Sequence, residues 1–286
     1  MIDPQRLMAE PLPRVEQTIG WRDCILYALG LGVGLDPLDE ADLPFVDERR
    51  LKVEPTMANV MGYPGFWMQE PRFGLDYEKT VHGEHAIRLH RPLPNDVTVS
   101  GTSRITGLVD KGVAKGALIY VEREIADAAG LLLATVRQTV FCRGDGGFGG
   151  SHGTVPEAPS ATPGRAPDTS IDMPTSRQGA LIYRLSGDYN PLHFDPEAAR
   201  RAGFPRPILH GLATFGVVGH GLVKALCGSA PERLIAMGGR FSAPVYPGET
   251  IRIDIWHSGG GHAAFSASVP ERSVIVMSHG FAEIAE

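Results

Sequence analysis

From Gly211 to about Leu226 the chain reads GLATFGVVGHGLVKAL, a helical stretch with almost no polar side. Leu212, Phe215, Gly219, Leu222, Val223 and Leu226 recur at helical spacing, and most positions between them are Ala, Gly or Val. A helix that is apolar nearly all round has no face to present to water, so it must be buried. Gly216, Gly219 and Gly221 each weaken it by up to about 1 kcal/mol relative to Ala, so its stability has to come from close packing. Partners of the right kind follow it: Ile251, Ile253 and Ile255 alternate with Arg252, Asp254 and Trp256, the period of a half-buried strand. The expected class is α+β, with an antiparallel sheet wrapped closely around a central helix.

The same order of segments occurs twice. In the first half Pro92-Leu93-Pro94-Asn95-Asp96 leads into Val97-Thr98-Val99, and strand-like runs follow at Ala117 to Glu124 and Leu131 to Phe141. In the second, Pro244 to Glu249 leads into the Ile251 to Trp256 strand, and runs follow at His262 to Val269 and Ser273 to Ile284. Similar order at similar spacing indicates a duplicated domain. Between the halves, Gly144 to Pro174 is rich in Gly, Pro, Ser and Ala, the composition of a linker or long surface loop. The expected organisation is a first domain over 1–143, a linker over 144–174 and a second domain over 175–286. The first half shows no equally apolar helix, since Ile25 to Val33 is too rich in Gly; a reduced helix there would leave room for a ligand.

Chemistry concentrates just ahead of the apolar helix, in YRLSGDYNPLHFDPEAARRAGFPRPILHG from Tyr183 to Gly211. Asp188 and His193 flank Asn190-Pro191, a turn-initiating pair that folds the chain back and brings carboxylate and imidazole toward one point. Asp195-Pro196 reads as a helix start with Asp195 as cap, and the short helix ends before Gly203. At His210-Gly211 the long helix begins, and its first N–H groups have no partner within the helix. A carboxylate, an imidazole and free amide donors are the parts of an acid–base site with an oxyanion hole. Each has a plainer reading. Asp188 alone caps a turn, His193 alone is a half-buried histidine, and His210 is read as orienting the loop before the helix rather than as catalytic. His220 is expected to be a buried histidine with a hydrogen-bonded neighbour. Arg200-Arg201 is usually a solvated face, although guanidinium groups near a site also suit CoA phosphates.

The run Ser186-Gly187-Asp188, Asn190-Pro191-Leu192-His193, Asp195, Gly203-Phe204 and Ile208-Leu209-His210-Gly211 resembles the signature of the MaoC-like and hydratase 2 enzymes. Tyr27-Ala28-Leu29-Gly30, His82-Gly83-Glu84 and Asp110-Lys111-Gly112 extend the resemblance, to the two-domain type, over nearly the whole chain. It implies a double hot-dog fold, two antiparallel sheets each curled around a helix, with the N-terminal helix reduced. It also implies (R)-specific hydration of trans-2-enoyl-CoA to (R)-3-hydroxyacyl-CoA, the reverse dehydration, and no cofactor. By the resemblance, Asp188 and His193 activate water and relay its proton, Asn190 fixes the turn, and the Gly211 N–H receives the thioester oxygen. His82, Gly83, Lys111 and Phe241 would contact the acyl-CoA, with Lys111 suited to phosphates; read alone, Lys111 is a turn residue.

Composition bounds the rest. A net charge of -6 and a pI near 5.9 argue against nucleic acid, which needs a basic face. No apolar run reaches the roughly 20 residues of a membrane span. The acidic, proline-containing start does not resemble a signal peptide, and Ile284-Ala285-Glu286 is not a peroxisomal address, so a cytoplasmic protein is expected, with a homodimer as one assembly. Cys24, Cys142 and Cys227 are read as idle buried thiols. No metal is expected, because Asp188, His193 and Asp195 lack a further ligand cluster. The alternatives are a hot-dog thioesterase and a non-catalytic acyl-CoA-binding protein.

Overall fold

The protein is described as a computed structural model covering residues 2–285; Met1 and Glu286, which entered the targeting argument, lie outside the described residues. The elements run α1 (Pro4–Ala9), β1 (Val15–Ile19), α2 (Trp21–Leu31), β2 (Thr80–Leu89), β3 (Val97–Asp110), β4 (Ala117–Asp127), β5 (Leu132–Cys142) and β6 (Ser151–Gly153). They continue with β7 (Thr169–Pro174), α3 (Gly179–Tyr183), α4 (Pro196–Arg201), α5 (Gly211–Cys227), β8 (Leu234–Phe241), β9 (Thr250–Gly259), β10 (His262–Val269) and β11 (Val274–Ile284). Short 3-10 turns fill the stretch between α2 and β2.

The apolar helix forms as expected and its glycines have a use. A Cβ on Gly216 would meet Leu31 of α2, one on Gly219 would meet Thr56 and Met237, and one on Gly221 would meet Ile253 and Met173. The helix therefore gives up intrinsic stability to let packing partners approach on three sides. Ile251, Ile253 and Ile255 of β9 are fully buried toward it. Trp256 departs from the alternation: it stands on the other face yet is only 6% exposed, because its indole N–H donates to the Arg165 carbonyl 2.9 Å away.

The two expected half-sheets are joined edge to edge. The order is β1-β3-β4-β5-β2-β8-β11-β10-β9-β7, with β6 beside β3, and the seam is β2 against β8, from Glu84 opposite Arg240 to Arg88 opposite Ala236. The result is the double hot-dog arrangement with one continuous antiparallel sheet. On its outer face the seam carries the ion pairs Arg240–Glu84 and Arg88–Glu283.

Among the described residues the first half has no counterpart of α5. The buried 3-10 turn Pro55–Asn59 packs between α5 and strands β2 and β5. Beyond it a second apolar cluster, including Leu7, Trp67, Phe73, Ile105, Leu108 and Ile119, covers the rest of the inner face. The Ile25 to Val33 region nevertheless belongs to a genuine helix, α2, capped by the Asp23 carboxylate on the Gly20 N–H and closed by Gly32 at φ 91°. It packs on α3 and α5, and Gly30 allows the Tyr183 backbone within about 3 Å of where a Cβ would stand.

The segment 144–174 is not structureless. β6 at one end pairs with β3 and β7 at the other pairs with β9. Edge pairing of this kind is made by backbone groups and leaves little trace in a Gly/Pro/Ser-rich composition. Residues 154–168 form the strap between these edges. A groove of about 1020 Å³ lies between Pro156 to Ala161 and outer-face residues such as Arg104, Glu122 and Arg137. All three cysteines are buried and free, and burial pushes the Cys24 and Cys142 thiols up to about 12. Among the described residues no helix is long and apolar enough to cross a membrane.

Candidate active site

The turn after Asp188 is built by its own side chains. The Asp188 carboxylate accepts from the Asn190 N–H at 3.2 Å, and Asn190 Oδ1 accepts from the Leu192 N–H at 3.0 Å, capping a 3-10 turn over Pro191–His193. Asp195 accepts from the Glu197 N–H at 2.8 Å and caps α4, which ends before Gly203 at φ 86°. Arg201 pairs with Glu197 one turn away, so this helix face is solvated as the pattern suggested.

His193 donates from Nδ1 to the Ile208 carbonyl at 3.0 Å, which leaves Nε2 as a free lone pair. Its ring stacks on His210, 3.7 Å between centroids and 27° from parallel. His210 donates from Nε2 to the Asp188 carbonyl at 3.2 Å, and its Nδ1 is buried without a partner. Ligating atoms of Asp188, His193 and His210 all lie within 4.8 Å of one another, a gap that one water molecule can span. The set could also offer donors to a cation, but nearly parallel rings point their lone pairs in parallel planes, whereas a tetrahedral metal site needs them to converge. Asp195, counted with Asp188 and His193 in the sequence, is not a member.

Electrostatics keep the imidazoles neutral. Burial pushes His210 down to about 3, helped by its neighbour His193. Burial also lowers His193, against the opposing pull of the Asp188 carboxylate. Two tyrosines that the sequence did not single out stand near Asp188. Burial, with the Asp188 charge, pushes the Tyr63 hydroxyl up to about 12, and it holds the Tyr183 hydroxyl well above its usual range. Both are therefore neutral and able to donate. Tyr183 heads the motif and was within reach of sequence reasoning; Tyr63 lies 125 residues before Asp188 and carries no local signal.

Gly211 is the first residue of α5 and is exposed although most of the helix is buried. A Cβ there would sit 3.7 Å from the Phe241 ring, ordinary contact, and Phe241 in turn meets His82 edge-on at 4.9 Å. Gly83 is the extra residue of a bulge in β2, with His82 opposite Val140 and Glu84 opposite Thr139. The structure thus brings Gly211, Phe241, His82 and Gly83 together. Lys111 is set apart in the β3–β4 hairpin, its N–H bonded to the Gly116 carbonyl. Thr80 pairs with Cys142 and Cys142 with Ala117, so the hairpin extends from the same end of the sheet as His82, about 14 Å away at three strand spacings. The large groove lies on the outer face, away from this cluster.

Fold and site together describe a double hot-dog protein with an acid–base cluster at the exposed start of its buried helix. Comparison with known proteins agrees: residues 159–278 match the MaoC like domain, and residues 18–144 match the MFE-2 hydratase 2 N-terminal domain. The chain is 40% identical to 3-hydroxyacyl-thioester dehydratase Y of Mycobacterium tuberculosis, covering 94% of this chain and 92% of that protein. It is 38% identical to the peroxisomal enoyl-CoA hydratase 2 of Arabidopsis thaliana, covering 97% and 94%. A crystal structure of a MaoC-like dehydratase from Phytophthora capsici superposes with a TM-score of 0.87 at 32% identity, covering 99% and 98%. The chain belongs to the MaoC-like hydratase 2 family.

Proposed function

We propose that the protein adds water to trans-2-enoyl-CoA to give (R)-3-hydroxyacyl-CoA, and catalyses the reverse dehydration. The observation that carries this reading is the free Nε2 of neutral His193 grouped with Asp188 beside the exposed N-terminus of α5. Hydration needs a base for water at C3, a proton at C2 and a donor for the negative charge that grows on the thioester oxygen between them. Asp188 and His193 hold the water; the proton that leaves it is returned at C2 on the same face. Asn190 keeps the turn closed through its bond to Leu192. The Gly211 N–H, with the positive end of the helix dipole behind it, receives the enolate-like oxygen. His82, Gly83 and Phe241 line the approach of the thioester, and Lys111 meets the CoA phosphates.

In this reading residues 1–143 serve mainly binding, residues 175–286 carry the chemistry, and 144–174 connect them. A cytoplasmic location and a homodimer belong to the same proposal, to be checked by fractionation and light scattering. The deciding experiment is incubation with crotonyl-CoA followed by chiral analysis. The expected product is (R)-3-hydroxybutyryl-CoA without release of free thiol. Thiol release would establish a thioesterase, and (S) product would mean that the substrate lies differently against Asp188 and His193.

Gly211→Ala separates folding from catalysis. Because the added methyl meets only ordinary contact with Phe241, the melting temperature should hold or rise slightly. The same methyl crowds the thioester, and loss of one oxyanion donor costs about 10²–10³ in kcat. A variant with unchanged kcat would place the thioester oxygen elsewhere.

A further inference from the structure

We infer that Asn59 and His85 are positioning residues that set the ring orientation and proton placement of His82, and through it the binding of the CoA thioester; this rests on the acyl-CoA reading above. In a regular strand, side chains three residues apart point to opposite faces. The Gly83 bulge changes that for β2: it puts His82 and His85 on the inner face together and leaves Glu84 on the outer, paired with Arg240. His85 Nδ1 then lies 3.1 Å from His82 Nε2. On the opposite side of the ring, His85 Nε2 is 2.8 Å from Asn59 Oδ1.

Asn59 is 1% exposed, in the 3-10 turn that stands where the first half lacks a long helix. That turn is itself clamped. Arg123, buried and without a carboxylate partner, donates from Nη2 to the Ala58 carbonyl at 3.0 Å and the Asn59 carbonyl at 2.6 Å. Phe215 of α5 meets the His85 ring edge-on at 4.8 Å. Both ends of the chain of contacts are thus anchored in the core.

Proton placement follows from donor and acceptor types. An amide oxygen only accepts, so His85 carries its proton on Nε2; its Nδ1 must then accept, and His82 carries its proton on Nε2 as well. Burial supports two neutral rings, pushing His82 down to about 4 and His85 well below the usual histidine value. At the far end the His82 ring packs against Phe241, which stands over Gly211. A rotated or wrongly protonated His82 would disturb the wall along which the thioester approaches, although Asn59 itself touches no substrate.

Nitrogen-15 NMR of the histidine rings in the wild-type protein tests this without turnover. His82 and His85 should each show a single tautomer protonated at Nε2, and neither should titrate as the pH falls to about 5. Mixed tautomers at His82, or titration near the ordinary value of about 6.5, overturn the inference. Kinetics supply the second arm. Asn59→Leu and His85→Phe should each raise KM for crotonyl-CoA roughly tenfold, the scale of one net hydrogen bond, with kcat little changed. The double variant should be no worse than either single one, because both act through one chain of contacts. In Asn59→Leu the His82 signal should become a tautomer mixture. Additive losses in kcat as well as KM, with the His82 tautomer unchanged, would make these packing residues and overturn the inference. Failure of the wild type to hydrate any enoyl-CoA would instead sink the assigned reaction, a result that the NMR arm keeps distinct.

Discussion

Asp188→Asn and His193→Gln should each lower kcat/KM for crotonyl-CoA by at least about 100-fold, with the melting temperature close to wild type. Both replacements keep size and much of the hydrogen bonding but remove proton exchange, and positioned acid–base groups of this kind are worth about 10²–10⁴-fold. The structure adds a reason to expect separable effects on fold and rate. His193 is held by its Nδ1–H bond to Ile208, and the Nε2 that would do the chemistry supports nothing else among the described residues. Because burial lowers His193, the base is already neutral at physiological pH. The acid limb of kcat/KM should therefore lie below the ordinary histidine value of about 6.5, with activity lost as the pH falls through the lowered value. Near wild-type turnover in either variant, measured by the loss of enoyl absorbance, would remove the pair from the mechanism.

The second large effect concerns stability. His220, read from the sequence as a satisfied buried histidine, is the centre of a buried ionic cluster. Its Nε2 is 3.0 Å from Asp42 and its Nδ1 is 2.8 Å from Glu54, while Lys224 one turn on reaches Asp42 at 2.8 Å and also pairs with Asp39. Burial would lower the His220 pKa, but the Glu54 charge and the bonds to both carboxylates outweigh it and raise it to about 9. Burial alone would raise Asp42, yet His220 and Lys224 leave it lowered. His220→Leu strands two buried carboxylates, a loss of about 3–5 kcal/mol for breaking a buried pair from one side. In a chain of this size that is a fall of the order of 10 °C in melting temperature.

The sign of the pH dependence follows from the same shifts. The His220 contribution, from a raised pKa, is complete below the unfolded value of about 6.5 and is lost as the pH rises through about 9. The Asp42 contribution, from a lowered pKa, is present above the unfolded value of about 3.9 and is lost as the pH falls through the lowered one. The gap between wild type and His220→Leu should thus be widest between about pH 4 and 6.5 and should narrow toward pH 9. Thermal melts of both proteins at pH 6 and pH 9 measure it; an equal gap at both would mean that His220 is neutral in the folded protein.

What was legible in the sequence is what neighbouring residues settle among themselves. The buried helix from Gly211 showed in its periodicity, and the cap at Asp195, the Asn190-Pro191 turn and the stop at Gly203 rest on bonds reaching two to five residues. Strands β9 to β11 showed as alternation because one face meets the core and the other water. The seam strands β2 and β8 did not show, since their backbone partners are each other and their runs contain Gly83, Gly238 and Gly239 where alternation would be read. The short strands of 144–174 were hidden for a related reason. Pairing distant segments depends on register and on the free energy of closing the loops between them, and no single segment encodes either.

The site divides along the same line. Asp188, Asn190, His193 and Gly211 belong to one continuous motif, so sequence alone brought them forward. Their contact with Tyr63, the stacking of His210 on His193, and the meeting of His82 with Phe241 were decided by the tertiary structure, because each joins groups that only the folded sheet and its buried helix place side by side. Lys111 shows the limit from the other direction: a short motif marks it, but only the register of β3, β4 and β5 determines how far it stands from the chemistry. The sequence by itself determined that a helix must be buried and that an acid–base turn precedes it. Which residues of the first half face that turn was settled by long-range strand pairing, whose energy comes from the whole core rather than from any local pattern.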